Sequence, residues 1–181
     1  MRKIILVLSI ALLLLACKPN RPPLKTGEVA DMSGYKVDSD RFLVMTIEDA
    51  AKFVSEGTGY IYFGFESCPW CQQLIPYLDE LAQTKDIKIY YVDLKPGGQD
   101  VRVPENKPYM KIVEVTAEYL ELDDKGNPRL YVPHIFALKE GNIIFSHAGT
   151  VDSHPAPERK MTAEEVAELK VILEDFWKSL K

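Results

Sequence analysis

Hydrophobic positions in the first half of the chain alternate between helical spacing and short unbroken runs. Residues 46–55 begin with a capping threonine, and their apolar side chains recur on one helical face. Residues 60–65 (YIYFGF) are aromatic and β-branched, which is typical of a buried strand. Helical spacing returns at residues 69–81, and residues 87–94 (IKIYYVDL) predict a second strand. This order favours two parallel strands joined by a helical crossover.

The second half of the chain begins with an irregular stretch, residues 95–128, which we interpret as an insertion. Within it, residues 109–122 fit both helical and strand patterns, and we predict a helix. Residues 130–138 and 142–147 are apolar runs separated by a turn, which predicts a β-hairpin. A capping box at residues 162–165 (TAEE) then begins a final helix that runs nearly to the end of the chain.

The N-terminus has the layout of an export signal. Two basic residues precede an apolar run over residues 4–16, which is shorter than a membrane-spanning helix requires. The sequence Leu14-Leu15-Ala16-Cys17 resembles a bacterial lipobox, in which cleavage exposes a cysteine that carries lipid. A retained N-terminal helix with an incidental thiol is the alternative. Both interpretations place the rest of the chain outside the cytoplasm, anchored to a bacterial membrane.

Length and composition predict one domain with appendages. The 181 residues and 46% hydrophobic content are ordinary for a globular protein. We therefore predict a signal peptide at residues 1–16, a lipidated cysteine and flexible tether at 17–40, and one domain at 41–181. The tether follows from a segment rich in Pro, Lys and Gly that has no apolar periodicity.

The charge balance argues against nucleic acid as a partner. The formal net charge is −5, and removal of residues 1–16, with Arg2 and Lys3, gives −5 − 2 = −7. Phosphate binding relies on clustered Lys and Arg, which the chain lacks. Lipid, rather than a basic patch, would hold the domain to the membrane.

The chain has three cysteines, and with Cys17 lipidated only Cys68 and Cys71 remain. They lie in FESCPWCQQLIP, where an apolar run changes to helical spacing. Such a pair is a redox couple, half of a metal site or a structural disulfide. A disulfide that closes so short a loop constrains the unfolded chain little, which favours redox chemistry.

Residues of this pattern resemble the thioredoxin superfamily. The apolar strand, Cys-Pro-Trp-Cys, helix and strand are followed by Val132-Pro133 before a hairpin and a final helix, and Pro76 follows the second cysteine by five residues. The resemblance implies an α/β fold with a central mixed sheet flanked by helices. YVDL, GNPRLYVPHIFALKEGNI and AGTVDSH are similar, within the superfamily, to bacteriocin transport accessory proteins.

The resemblance also implies roles for the motif residues. Cys68, at a helix N-terminus, would be the nucleophilic thiolate, and Cys71 would resolve the mixed disulfide. Pro133 would be a cis-proline that leaves the Val132 backbone free to pair with an extended substrate. The alternative for Pro133 is an ordinary trans proline. Partners would be protein or peptide thiols and disulfides and an unidentified redox partner, with no bound cofactor.

Five supporting residues complete the predicted site. Pro69 and Trp70 tune the dithiol, and Trp70 offers apolar surface to a polypeptide. Tyr62 occupies the strand position where thioredoxin has a buried acid, so it departs from the family, and core packing is its simpler explanation. Glu66 would oppose the thiolate or relay protons. His134, where thioredoxins usually have threonine, would favour the thiolate when protonated.

The sequence thus predicts a lipid-anchored, extracytoplasmic thiol-disulfide oxidoreductase. The competing class is a non-enzymatic binding module. It would be either a copper or zinc carrier that uses Cys68, Cys71 and His134, or a secretion accessory protein that holds a client.

Overall fold

The structure is a computed structural model that describes residues 26–181. The predicted signal peptide, the predicted lipidation site Cys17 and residues 17–25 of the predicted tether lie outside the described residues. The helices are α1 Ile47–Glu56, α2 Pro69–Thr84, α3 Lys107–Thr116 and α4 Ala163–Lys178. The strands are β1 Phe42–Val44, β2 Gly59–Gly64, β3 Ile89–Asp93, β4 Glu121–Leu122, β5 Pro128–Arg129, β6 His134–Lys139 and β7 Asn142–Ala148. Short 3-10 turns lie at Ser33–Tyr35, Pro96–Gly98 and Ala117–Tyr119. No helix among residues 26–181 has the length and apolar character needed to cross a membrane.

Five strands form a mixed central sheet in the order β1-β3-β2-β6-β7. β1 and β2 pair with β3 in parallel, whereas β6 is antiparallel to β2 and β7 is antiparallel to β6. The predicted parallel pair with a helical crossover is therefore β2-α2-β3, and the predicted hairpin is β6-β7. The structure confirms the expected α/β class, with a central mixed sheet flanked by helices.

Successive side chains of each strand point to opposite faces of this sheet, and helices cover both faces. Tyr60 of β2 packs edge-on against Phe176 of α4, and its hydroxyl donates to the carbonyl of Trp177. Tyr90 of β3 instead packs against Phe53 of α1 at a centroid distance of 5.1 Å, so α1 lies on the opposite face. The two faces enclose a core of aromatic and aliphatic side chains.

Helices α1 and α4 begin where the sequence predicts, whereas α3 begins two residues earlier, at Lys107 rather than Tyr109. The side chain of Thr46 accepts from the N–H of Asp49 at the start of α1. At the start of α4, Thr162 and Glu165 form the predicted capping box. These bonds satisfy N–H groups that have no partner within the helix.

The predicted tether is too long at its C-terminal end, because residues 27–40 pack on the domain. The N–H of Gly27 donates to the carbonyl of Val44, which extends the edge of β1. Ala30, Met32 and Tyr35 are buried. The sequence pattern missed this segment because its few apolar residues have no regular period.

The insertion is smaller and more ordered than its composition indicates. Its centre is the predicted helix, α3, which packs against α1 and ends at Thr116 rather than Leu122. The short β4-β5 hairpin follows. β6 begins at His134 rather than Leu130, because Pro133 has no N–H to donate to a ladder.

Candidate active site

Cys68 lies at the junction between β2 and α2, where it is the N-cap of the helix. Its Sγ accepts from the backbone N–H of Cys71 at 3.3 Å, and Pro69 occupies the first helical position, where an N–H is not needed. The sequence folds this way because the apolar strand ends at Gly64 and a proline opens the helix. The cysteine is therefore held at the positive end of the α2 macrodipole.

Hydrogen bonding lowers the pKa of Cys68 to about 7 from its ordinary value of 9.0. The thiol of Cys71 is the largest cause, and the backbone N–H groups of Cys71 and Trp70 add to it. The positive charge of Arg102 acts in the same direction, whereas burial opposes all of these. About half of the Cys68 side chains are thus thiolates near neutral pH.

Cys71 is fully buried one helical turn further on. Burial raises the pKa of its thiol well above the ordinary value, and the Cys68 sulfur raises it further. A hydrogen bond with the Tyr62 hydroxyl acts in the opposite direction. Both cysteines are free thiols in this structure. The pair therefore combines an ionisable sulfur near the surface with a protonated sulfur beneath it.

The Val132–Pro133 peptide bond is cis, and its loop lies directly against the dithiol. The Cys68 Sγ donates to the carbonyl of Val132 at 3.6 Å. Pro133 is buried, and its carbonyl accepts from the N–H of Gly149 at 2.8 Å, which ties the loop to the end of β7. The structure thus brings Cys68, Cys71, Val132 and Pro133 into one site.

His134 does not have the role predicted for a protonated histidine. It is 2% exposed at the start of β6, where its ring stacks on Phe136 and its Nε2 hydrogen-bonds to the Ser146 hydroxyl. Burial, with a smaller contribution from the nearby His147, lowers its pKa to about 3. It is therefore neutral at physiological pH and offers no positive charge to the thiolate.

The predicted alternative metal set of Cys68, Cys71 and His134 is not assembled. Within residues 26–181, no three His, Cys, Asp or Glu side chains are grouped so that they could hold a metal ion. The Nε2 of His134 hydrogen-bonds to the Ser146 hydroxyl on β7, and its buried Nδ1 has no hydrogen-bond partner.

Trp70 and Glu66 flank the dithiol at the surface. Trp70 is half-buried and packs against the core, so only part of its ring is available to a polypeptide. Glu66 is exposed, and its carboxyl packs over Gly34, where any side chain would overlap it. The charge of Glu66 acts on Asp93, whose pKa it helps to raise.

Sequence reasoning missed Arg102, which the start of the insertion carries to the dithiol. Its guanidinium lies 5.0 Å from the centroid of the Phe65 ring, just before the motif, and donates to Asp100 at 2.8 Å. The amine of Lys95 lies over the same ring. A lone arginine in an irregular segment gives no sequence signal of such a position.

A buried cluster of tyrosines was also missed, apart from Tyr62. Tyr62 and Tyr91 are register partners on β2 and β3, with stacked rings at a centroid distance of 5.4 Å. Tyr35 packs edge-on against both rings. Asp93 lies at the end of β3, opposite Gly64 at the end of β2. Because parallel strands end at the same edge of a sheet, the sequence could have predicted that Asp93 lies near the dithiol.

No protein-family model and no curated protein matches this chain. Among solved structures it is similar to thioredoxin O2 from Arabidopsis thaliana in the oxidized state, at 19% identity over 76% of this chain and 95% of that chain, with a TM-score of 0.44. Thioredoxin 1 from Thermosipho africanus is 18% identical over 66% of this chain and 93% of that chain, with a TM-score of 0.35. StoA from Bacillus subtilis is 21% identical over 64% of this chain and 84% of that chain, with a TM-score of 0.32.

Proposed function

We propose that this chain is a thiol-disulfide oxidoreductase that acts on protein or peptide cysteines through Cys68 and Cys71. The observation that carries the proposal is the position of the Cys68 Sγ. It accepts the Cys71 N–H at the start of α2 and faces the Val132 carbonyl, while Cys71 is buried behind it. A structural disulfide would need none of this stabilisation of one sulfur as an anion.

The arrangement supports a two-step exchange. The Cys68 thiolate attacks one sulfur of a substrate disulfide, which forms a mixed disulfide and releases the first substrate thiolate. Cys71 then loses its proton and attacks the Cys68 sulfur. The products are the Cys68–Cys71 disulfide and the second substrate thiolate, so two electrons pass from the protein to the substrate.

The pKa of Cys68 favours reduction as the working direction. A value of about 7 matches the nucleophile of thioredoxin, whereas strong disulfide oxidants have values near 3.5. A thiolate that is only moderately stabilised makes the reduced form a good electron donor. We expect a reduction potential close to the roughly −270 mV of thioredoxin. A potential near −120 mV, typical of a strong oxidant, would contradict this direction.

Two cysteine variants test the reaction itself. Cys68→Ser should abolish insulin reduction, because no other described thiol is positioned to attack. Cys71→Ser should accumulate a mixed disulfide between Cys68 and the substrate, visible by non-reducing electrophoresis and mass spectrometry. If Cys68→Ser reduced insulin as fast as the unchanged protein, the proposal would be wrong.

We further propose that the domain works outside the cytoplasm, held to a bacterial membrane by lipid on Cys17. The support is the sequence of residues 1–17, with its basic start, apolar run and lipobox-like end. Labelling with a fatty-acid analogue should mark the unchanged protein and not Cys17→Ala. Equal labelling of the two would contradict the anchor.

We also propose secreted, disulfide-containing peptides as clients, on the support of the sequence resemblance of YVDL, GNPRLYVPHIFALKEGNI and AGTVDSH to bacteriocin transport accessory proteins. The Cys71→Ser variant, expressed on the cell surface, should trap such peptides in the mixed disulfide. Recovery of only cytoplasmic proteins in the trapped complexes would contradict both this client class and the location.

A further inference from the structure

The second step of the proposed exchange requires Cys71 to lose a proton inside the core. The side chain of Cys71 has no exposed surface. Burial also raises the pKa of its thiol, so direct loss of the proton to solvent is disfavoured. The β2 position beneath it holds Tyr62 rather than a carboxylate. The proton therefore needs a path out of the core.

Three tyrosine hydroxyls form a continuous chain that begins at Cys71. The Tyr62 hydroxyl lies close enough to the Cys71 thiol to lower the pKa of that thiol, against the effect of burial. It also donates to the Tyr35 hydroxyl at 3.4 Å, and the Tyr35 and Tyr91 hydroxyls are 3.2 Å apart. Each hydroxyl can accept one proton while it donates another. The Tyr62 hydroxyl donates away from the sulfur, and either hydroxyl can be the donor between Tyr35 and Tyr91, so the bonds allow a proton to pass outward.

The fold holds these hydroxyls in place from three elements. Tyr62 and Tyr91 are adjacent because of the β2-β3 register, and the 3-10 turn at Ser33–Tyr35 brings Tyr35 onto both rings. Gly64 leaves room for the Tyr62 hydroxyl, since any side chain at position 64 would overlap it. The three hydroxyls are therefore held in place by the packing of the core.

The outer end of the chain opens into a cavity of about 590 Å³. Tyr35 and Tyr91 line this cavity together with the acidic residues Asp93 and Glu66. Burial raises the pKa of Asp93, and the charge of Glu66 raises it further, whereas the backbone N–H of Lys95 lowers it. Asp93 therefore takes up a proton more readily than an ordinary aspartate.

We propose that the hydroxyls of Tyr62, Tyr35 and Tyr91 relay the proton of Cys71 to the cavity that contains Asp93. The proposal rests on the proposed function, because the relay serves the resolving step. Tyr62 touches the reacting sulfur and is a catalytic residue in this sense. Tyr35, Tyr91 and Asp93 act through it.

The proton balance of the step is complete. The Cys71 S–H bond breaks as the proton moves to the Tyr62 oxygen, whose own proton moves to Tyr35. The Tyr35 proton moves to Tyr91, whose proton passes through water in the cavity to the Asp93 carboxylate. The Cys71 thiolate forms the new bond to the Cys68 sulfur, and the substrate leaves as a thiolate. Asp93 then releases the proton to solvent.

A two-phase kinetic measurement on the full chain in detergent separates this step from the first. One equivalent of dithiobis(nitrobenzoate) releases one coloured thiolate when Cys68 attacks and a second when Cys71 resolves the adduct. Tyr62→Phe keeps the ring and removes only the hydroxyl. We expect its first phase to be unchanged and its second phase to be about 100-fold slower, the low end of the effect of a positioned proton acceptor.

Matched variants distinguish a relay from a packing effect. Tyr60→Phe removes a hydroxyl from the same strand that bonds to α4, and it should alter neither phase. Tyr35→Phe removes the second hydroxyl of the relay, which does not contact Cys71. It should also slow only the second phase. The solvent isotope effect on that phase should be present in the unchanged protein and altered in both relay variants.

Each remaining outcome contradicts a specific claim. If the second phases of Tyr62→Phe and Tyr35→Phe matched that of Tyr60→Phe, the relay would be wrong while the oxidoreductase proposal stood. If the unchanged protein showed a first phase and no second phase, Cys71 would not resolve, and the proposed function would fail together with the relay.

Discussion

The Cys68 sulfur is stabilised mainly by the Cys71 thiol and by N–H groups, and the positive charge of Arg102 adds to this stabilisation. Removing this charge in Arg102→Gln should raise the pKa of Cys68. A partly exposed charge pair contributes about 0.5–1 kcal/mol, so alkylation of Cys68 below neutral pH should slow about two- to fivefold. The measurement is the pH dependence of the iodoacetamide reaction. Lys111→Gln makes the same charge change at an exposed position of α3 and should leave the profile unchanged. An equal shift in both variants would contradict a local effect.

His134 gives a pH dependence whose sign follows from its burial. Its pKa of about 3 in the folded protein lies below the ordinary value of 6.5, so the unfolded chain binds more protons between these values. Stability is therefore fully present above pH 6.5 and decreases as the pH falls toward 3, with a slope of up to about 1.4 kcal/mol per pH unit.

His134→Asn isolates this contribution, because it removes the titrating ring and keeps a polar group for Ser146. Urea denaturation at a series of pH values should show a shallower loss of stability in the variant than in the unchanged protein. Parallel curves for the two proteins would show that His134 does not titrate with the expected shift.

At the scale of elements, the start of α4 is held by a capping box and an adjoining ion pair. Thr162 accepts from the N–H of Glu165, which in turn accepts from the N–H of Thr162 and pairs with Arg159. Thr162→Ala should reduce the free energy of unfolding by about 1 kcal/mol, since one N–H loses its partner.

Thr162→Ser retains the hydroxyl and should restore most of this loss in the same urea titration. Insulin reduction should be unaffected in both variants, because the capping residues make no hydrogen bond or ion pair with Cys68 or Cys71. A Thr162→Ser variant as unstable as Thr162→Ala would contradict the assignment of the cap.

The elements that the sequence predicts are those whose signals are local. A capping residue and a helical period are enough to find α1, and a run of aromatic residues is enough to find β2. By contrast, β1 has only the three residues Phe42–Val44, and it is a strand because β3 offers it a parallel edge. The β4-β5 hairpin likewise depends on pairing that no short pattern encodes.

At the scale of the whole molecule, the same distinction separates the predicted from the missed parts of the site. The dithiol and Pro133 are visible in sequence because they belong to compact motifs. Arg102 and Tyr35 reach the site from 34 and 33 positions away from Cys68, and only the tertiary fold brings them there. The role of His134 was misjudged because burial and its hydrogen bond to Ser146 keep its ring neutral, and neither property is visible in the local sequence.

The segment that carries Tyr35 gives the last prediction. A chain that begins at residue 41 lacks Met32 and Tyr35, both buried against the sheet, whereas a chain that begins at residue 26 keeps them. Burial of one such side chain contributes about 1.5–3 kcal/mol, so the shorter chain should lose several kcal/mol in its free energy of unfolding. Urea denaturation of the two chains measures the difference.

The shorter chain should also resolve mixed disulfides more slowly, because without Tyr35 the hydroxyl of Tyr62 loses the group to which it donates. Its Cys68 should still attack at the normal rate, since α2 and the Val132 carbonyl are retained. Stability and resolution would then fall together while the first step persists. Equal stability of the two chains would mean that residues 26–40 are a tether after all, and it would remove the structural basis for Tyr35 as part of the relay.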